Sequence, residues 1–265
     1  MLNQLDFKSK NIFIGGSSNG IGWESAKLFS DFGGNVTLVS RNDKILRQRI
    51  SELTNNGAQN HNYIVLDFST PNKLELKLKE FIKKNSINYD VIINNSGGPP
   101  SGELENATTE DLLQAFNLHL ISFHKILGVL LGGIKNKESG RIINIISTSV
   151  KQPLNGLGVS NTIRGAVANW AKTLANELGP YNITVNNILP GATNTGRLKE
   201  IINNKAQKLN LKESTIEKQM ADQVPLKRIA EPIEVANAVV FLASNKASYI
   251  SGINLPVDGG RTKSL

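Results

Sequence analysis

Three glycines near the start of the chain, Gly16, Gly20 and Gly22, punctuate the stretch GGSSNGIG (15–22) with the spacing G-x-x-x-G-x-G. Glycine admits a tight turn and close backbone approach, and a helix that begins there offers free N–H groups to a diphosphate. The stretch follows an apolar run, NIFIG (11–15), and precedes a segment of helical period, the context that a dinucleotide turn requires. A second candidate stands where the next apolar run, VTLVS (36–40), ends in Ser40 and gives way to Arg41. NAD-binding folds place a carboxylate at this point for the adenosine ribose hydroxyls, whereas an arginine is a bidentate donor suited to a ribose 2′-phosphate. Arg41 therefore favours NADP(H), with NAD(H) still possible because Asp43 stands two residues further on.

These residues need a frame to hold them. Runs rich in Ile and Val recur at 11–15, 36–40, 63–67, 90–95, 141–146, 183–189 and 253–257. They are nearly continuous in hydrophobicity rather than alternating, which suits strands buried on both faces of a parallel sheet. Segments of helical period lie between them, for example GIGWESAKLFSDFG (20–33) and EVANAVVFLAS (234–244). The alternation predicts an α/β fold with a doubly wound parallel sheet, three layers deep, in one domain spanning 1–265. Residues 193–226, polar and rich in Lys and Asn, are too long for a simple connection and read as a helical flap over the ligand site.

Composition narrows the classes. Of 265 residues, 39% are apolar and 20% charged, a globular balance. With no cysteine and three histidines, neither disulfides nor a metal site is expected, and a cytoplasmic location is. No run reaches the roughly 18 apolar residues of a membrane span, and MLNQLDFKSK (1–10) lacks the apolar core of a signal peptide. The net charge of +8 is scattered, and its clusters at 77–84 and 197–218 are diluted by acids. Nucleic acid is therefore not the expected partner, and a small phosphorylated or carboxylated ligand is.

With NNSGG (94–98) after the fourth run, the chain resembles the short-chain dehydrogenase/reductase family. Asn117 in AFNLHL, GRIINIIS (140–147), ITVNNILPGATNT (183–195) and YISGINLPVDGG (249–260) continue the likeness in order, over essentially the whole length. The likeness is strongest to bacterial 3-oxoacyl-carrier-protein reductases. It implies a Rossmann fold in which Gly16, Gly20 and Gly22 wrap the pyrophosphate, with Ser18, Asn19 and Ile21 lining the same turn. It also implies that Asp67 meets the adenine amino group, that Asn94 approaches the adenosine, and that Asn95 to Gly97 stabilise the central sheet. Pro190, Gly191, Thr193 and Thr195 would hold the nicotinamide amide. Assembly as a homotetramer or homodimer is implied as well.

The family's chemistry uses Ser, Tyr and Lys with an Asn. Ser147 and Asn117 fall on the serine and the asparagine. The tyrosine is expected thirteen positions after Ser147 and the lysine four beyond, and those positions hold Ser160 and Arg164. The register on both sides is intact, and Tyr181 sits past the helix in LGPYNI. A serine hydroxyl is a far weaker acid than a phenol of pKa about 10, and it is shorter. Arg164 stays charged and cannot relay a proton as lysine does, yet it can donate to ribose hydroxyls.

Three activities are compatible with this frame. One is carbonyl/alcohol oxidoreduction of the 3-oxoacyl reductase type, in which a substrate group, another side chain or a water held by Ser147, Thr148, Ser149 and Asn161 supplies the proton and Arg164 stabilises an oxyanion. The others are a nucleotide-binding sensor or scaffold, and a dehydratase or epimerase. His119, about 200° round a helix from Asn117, reads as a packing or interface residue, and Trp170 as core or subunit contact. The loop SGGPPSGEL (96–104) forms a stiff substrate rim, and Arg197 and Lys199 face it from the flap to attract an acyl-carrier phosphopantetheine or carboxylate substrate.

Overall fold

A computed structural model of the chain describes residues 5–264; Leu265 and the first four of the ten N-terminal residues read above lie outside the described residues. The apolar runs become seven strands: β1 (Asn11–Gly15), β2 (Asn35–Ser40), β3 (Asn62–Val65), β4 (Val91–Asn94), β5 (Gly140–Ile145), β6 (Ile183–Pro190) and β7 (Asn254–Val257). They pair in parallel in the order β3-β2-β1-β4-β5-β6-β7. The order reverses between β1 and β4, so the connections leaving these two strands diverge and open a crevice at their carboxyl ends. Ile12, Phe13 and Ile14 of β1 are all fully buried, as are Ile92 and Ile93 of β4. That explains why these strands read as unbroken apolar runs.

Helices cover both faces. On one side, α1 (Gly20–Asp31) and α9 (Pro232–Ala243) pack against Ile12, Ile14, Ile143 and Ile188, with α2 (Asp43–Glu52) supplying Leu46. On the other, α3 (Pro71–Asn85), α5 (Ser122–Lys135) and α6 (Gly158–Leu178) enclose Phe13, Ile92, Ile142 and Val185. Each large apolar side chain buried this way stabilises the layers by about 1.5–3 kcal/mol before chain entropy is counted. Trp170 packs at the edge of the second cluster and donates to His124 Nδ1 at 3.4 Å.

The helix α4 (Thr109–Phe116) runs into α5 through a π-helical turn, Asn117–Ile121. The joined run Thr109–Lys135 has the length and composition of a membrane span. Its residues Phe123, Ile126, Leu130 and Ile134 nevertheless lie in the core between the sheet and α3.

A line of asparagines crosses the carboxyl half of the sheet. Asn94, Asn144, Asn187 and Asn254 are register partners on β4 to β7. Each Nδ2 donates to the next Oδ1 at 2.8 Å, so three side-chain hydrogen bonds link four strands in addition to the backbone ladder. Beyond β6, residues 193–226 contain α7 (Gly196–Leu209) and α8 (Glu213–Asp222), with Leu198, Ile202, Ala206 and Ile216 forming a small core of their own.

Candidate active site and cofactor cradle

The glycine turn sits at the mouth of the β1/β4 crevice. Gly16 takes a φ of +57°, and a Cβ there would lie 2.9 Å from Asn95 O. At Gly22 a Cβ would lie 2.4 Å from Gly16 O. Only glycine fits both positions, so the spacing read from the sequence is set by packing as well as by ligand approach. Asn95 Nδ2 donates to Gly15 O and Gly16 O, both at 3.2 Å, and thereby ties the turn to the end of β4. Asn19 caps α1 without a side-chain bond, and the first turn carries no acidic residue, so its N–H groups face outward unopposed. Ser18 lies half-buried in the turn beside Gly20 and Ile21. Arg49, which sequence reasoning missed, donates to Ser18 O at 3.2 Å and stacks over the Trp23 ring at 4.5 Å.

At the adenosine end, Arg41 is exposed beside Ser40 and has no hydrogen-bond or ion-pair partner among the described residues. Asp43 does not neutralise it but pairs with Arg47 one helical turn on, at 2.7 Å. Asp67 lies just past β3 and spends Oδ1 on Ser69, at 2.9 Å from its N and 2.7 Å from its Oγ. Asn94 departs from the expectation: its side chain is 1% exposed and committed to the asparagine line rather than aimed at an adenosine.

At the other end, Gly191 packs against Asp258, where a Cβ would come within 2.7 Å of Asp258 Cα. Thr193 is buried and donates to Gly191 O at 3.1 Å, and Thr195 caps α7 by accepting from Leu198 N at 3.3 Å. Pro190 and these threonines line the seam between β6 and the flap. Thr195 also touches the glycine turn, because a Cβ on Gly20 would sit 3.2 Å from its Cγ2.

Ser147 follows β5 and accepts from Ser149 N at 3.1 Å, which leaves its own hydroxyl hydrogen free to donate. Ser160 is half-buried in the first turn of α6 and makes no side-chain hydrogen bond among the described residues. Arg164, one turn on, is 6% exposed and donates from Nη1 to Ile145 O at 2.9 Å, two residues before Ser147. Its Nε is buried with no partner. Burial, and then the nearby Arg197, bring the guanidinium down from its ordinary range to about 10, so it remains charged at neutral pH. Asn117 opens the π-helical turn, half-buried, with its side-chain amide unbonded among the described residues.

Two expectations change here. Asn161 does not wait for a water: Nδ2 donates to Leu154 O at 2.9 Å and Oδ1 accepts from Leu154 N at 3.4 Å. His119 is a packing residue, 0% exposed and edge-on to Phe123, but it also belongs to the site. Its Nδ1 lies 2.7 Å from Ser96 Oγ, and its Nε2 is buried with no partner among the described residues. Burial, then Arg164, then Arg197 hold its pKa well below 6.5. The side-chain pattern gave no signal for this, because the ring's placement depends on the π turn.

The rim loop closes over α6: Gly102 N donates to Gly156 O at 2.7 Å and Gly158 N to Gly102 O at 3.0 Å. Arg197 reaches from α7 to Pro99 O and joins flap to rim. A cleft of about 660 Å³ lies outside this junction, lined by Gly98, Pro100, Lys199 and Asn203 among others. Tyr181 stands 47% exposed in the turn after α6, away from the cluster.

Residues 16–262 match the model of a family described as enoyl-(acyl carrier protein) reductase. That span contains the cradle, the asparagine line, Ser147 and the flap. The chain is a short-chain dehydrogenase/reductase. It is 29% identical over 257 residues to the NADPH-dependent reductase BacG of Bacillus subtilis, covering 97% of this chain and 99% of that one. The 3-oxoacyl-[acyl-carrier-protein] reductase FabG of Chlamydia muridarum is 28% identical over 252 residues, covering 95% and 97%. Among solved structures, L-sorbose reductase from Gluconobacter frateurii, complexed with NADPH and L-sorbose, superposes with a TM-score of 0.91 at 28% identity, covering 98% of this chain and 99% of that one. As a short-chain dehydrogenase/reductase, the protein keeps the Rossmann sheet.

Proposed function

We propose that this chain is an NADP(H)-dependent carbonyl reductase that works without a tyrosine acid. The observation that carries the reading is the buried guanidinium of Arg164 held to Ile145 O, beside the strand end that presents Ser147. The glycine cradle, the unopposed N-terminus of α1 and the unpaired Arg41 fit the diphosphate and 2′-phosphate of NADP(H). When bound, the reduced nicotinamide supplies a hydride. Pro190, Gly191, Thr193 and Thr195 would orient its amide, and Arg164 would donate to its ribose.

The Ser147 hydroxyl donates to the substrate's carbonyl oxygen and fixes it in place. Arg164, in a site of low dielectric, stabilises the negative charge that develops on that oxygen. Ser160 has neither the reach nor the acidity to protonate it, so the proton comes from solvent admitted at the rim. The rate is then set by oxyanion stabilisation rather than by a matched acid. The reading extends to a cytoplasmic homotetramer or homodimer, which light scattering of the purified protein would test.

The deciding experiment follows NADPH absorbance with a panel of ketones, oxo-carboxylic acids and 3-oxoacyl thioesters, using the parent chain and Ser147→Ala. Turnover lost in Ser147→Ala supports the reductase. NADPH binding with no turnover across the panel would replace it with a nucleotide-binding sensor. Substrate change without net loss of absorbance would point to a dehydratase or epimerase.

A further inference from the structure

Arg164 is a buried cation with no anion beside it among the described residues. Its one hydrogen bond among the described residues uses Nη1, and its Nε is buried without a partner. The Nε–Nη2 edge is the side of a guanidinium that a carboxylate takes with two parallel hydrogen bonds. Arg164 and Arg197 act on His119, and Arg197 acts on Arg164; no carboxylate is among these neighbours. Arg197 bonds Pro99 O, and its one acidic partner, Glu200, stands 3.4 Å away with 68% of its side chain exposed. His119 adds a second orphaned nitrogen, Nε2, in the same interior. With Nδ1 accepting from Ser96 Oγ, the neutral ring presents Nε2–H as a donor.

An isolated buried charge is unfavourable, and a fold retains one where a ligand supplies the opposite sign. The cofactor does not supply it here, because its phosphates belong to the glycine turn and Arg41, and the nicotinamide ribose carries no negative charge. The remaining source is the substrate. We infer that the Nε–Nη2 edge of Arg164, together with Arg197 and the His119 ring, binds a carboxylate of the substrate, which makes that substrate an oxo-carboxylic acid rather than a neutral ketone or a thioester. The assignment of the carbonyl rests on the reductase reading; the anion site itself does not. Arg197 must leave Pro99 O to admit the acid and can then turn its donors to it, so the same residue closes the rim and recognises the charge.

The test uses three probes that differ in the spacing of carbonyl and carboxylate, namely 2-oxobutanoate, acetoacetate and levulinate, each with its uncharged ethyl ester. Calorimetric titration into the protein, with and without NADP+, reads binding apart from turnover. At least one acid is expected to bind tenfold or more tightly than its ester, with a preference that shrinks as salt is raised. Arg197→Gln, at a half-exposed position, is expected to abolish that preference while leaving NADP+ affinity unchanged. Equal binding of every acid and its ester, or an acid preference that survives Arg197→Gln, overturns the inference. Failure of the reductase reading looks different: NADP+ does not bind, or NADPH binds but no acid or ester is turned over, whether or not the acids are preferred.

Discussion

His119→Gln isolates one proton. In the folded chain the imidazole is held well below its ordinary pKa by burial and by the positive fields of Arg164 and Arg197. In the unfolded chain it titrates near 6.5. Above that pH the ring is neutral in both states and contributes no pH dependence. Below it the unfolded chain takes up a proton that the folded chain refuses, so stability falls as the pH falls. The slope is about 1.4 kcal/mol per pH unit, which amounts to about 2 kcal/mol at pH 5 for a ring that stays neutral. For a chain of this size that is roughly 4–8 °C in Tm. Glutamine keeps an amide within reach of Ser96 and removes the titration. Urea unfolding of both proteins at pH 5, 6, 7 and 8 measures the gap between them, in which every other titrating group cancels. The parent should lose its relative stability steadily below pH 6.5. A gap that does not change with pH would refute the burial argument for His119, and with it the description of the Arg164 interior as a place hostile to added positive charge.

Three further outcomes follow from the geometry. Gly22→Ala places a methyl group 2.4 Å from Gly16 O and 2.9 Å from Asn95 Nδ2. Such overpacking costs about 1–3 kcal/mol, and NADPH should no longer raise the melting temperature of the variant. Arg41→Ala removes a charge-assisted contact of about 1.5–3 kcal/mol, so fluorescence titration should show NADPH affinity falling roughly ten- to hundredfold with NADH affinity unchanged. Asn144→Ala leaves the Asn94 amide and the Asn187 carbonyl unpaired in the core. At about 1–3 kcal/mol for each buried group, calorimetry should show a loss of several kcal/mol, and a loss under about 1 kcal/mol would show that the sheet repairs itself.

The sheet was legible because burial on both faces forces its strands to be apolar throughout, and that leaves a simple mark in the chain at β1, β4 and β5. The glycine turn was legible for a related reason, since Gly16 and Gly22 are fixed by contacts that exclude a side chain. What escaped depended on pairings between distant segments. Asn94 looks like a ligand donor in isolation, and only the register of β4 on β5 reveals it as the partner of Asn144. Asn161 is spent on Leu154, seven residues back, through a loop whose path no periodicity encodes. His119 was placed by helical geometry that assumes a regular turn, but the chain widens into a π turn at Asn117–Ile121 and carries the ring inward against Ser96. The expectation that Ser160 and Arg164 stand where the family has its tyrosine and lysine rests on counting from Ser147 alone.

The asparagine line also has a direction. Asn144 and Asn187 each give a hydrogen toward β7 and receive one from the side of β4, so neither can turn over without opposing its neighbours. Conversion of Asn144 or Asn187 to an acid by deamidation would put a carboxylate where a donor is required and oppose it to the next carbonyl. The crevice-forming half of the molecule therefore ages as a unit: one hydrolysed amide in this row loosens the strands that carry Ser147 and Pro190 together.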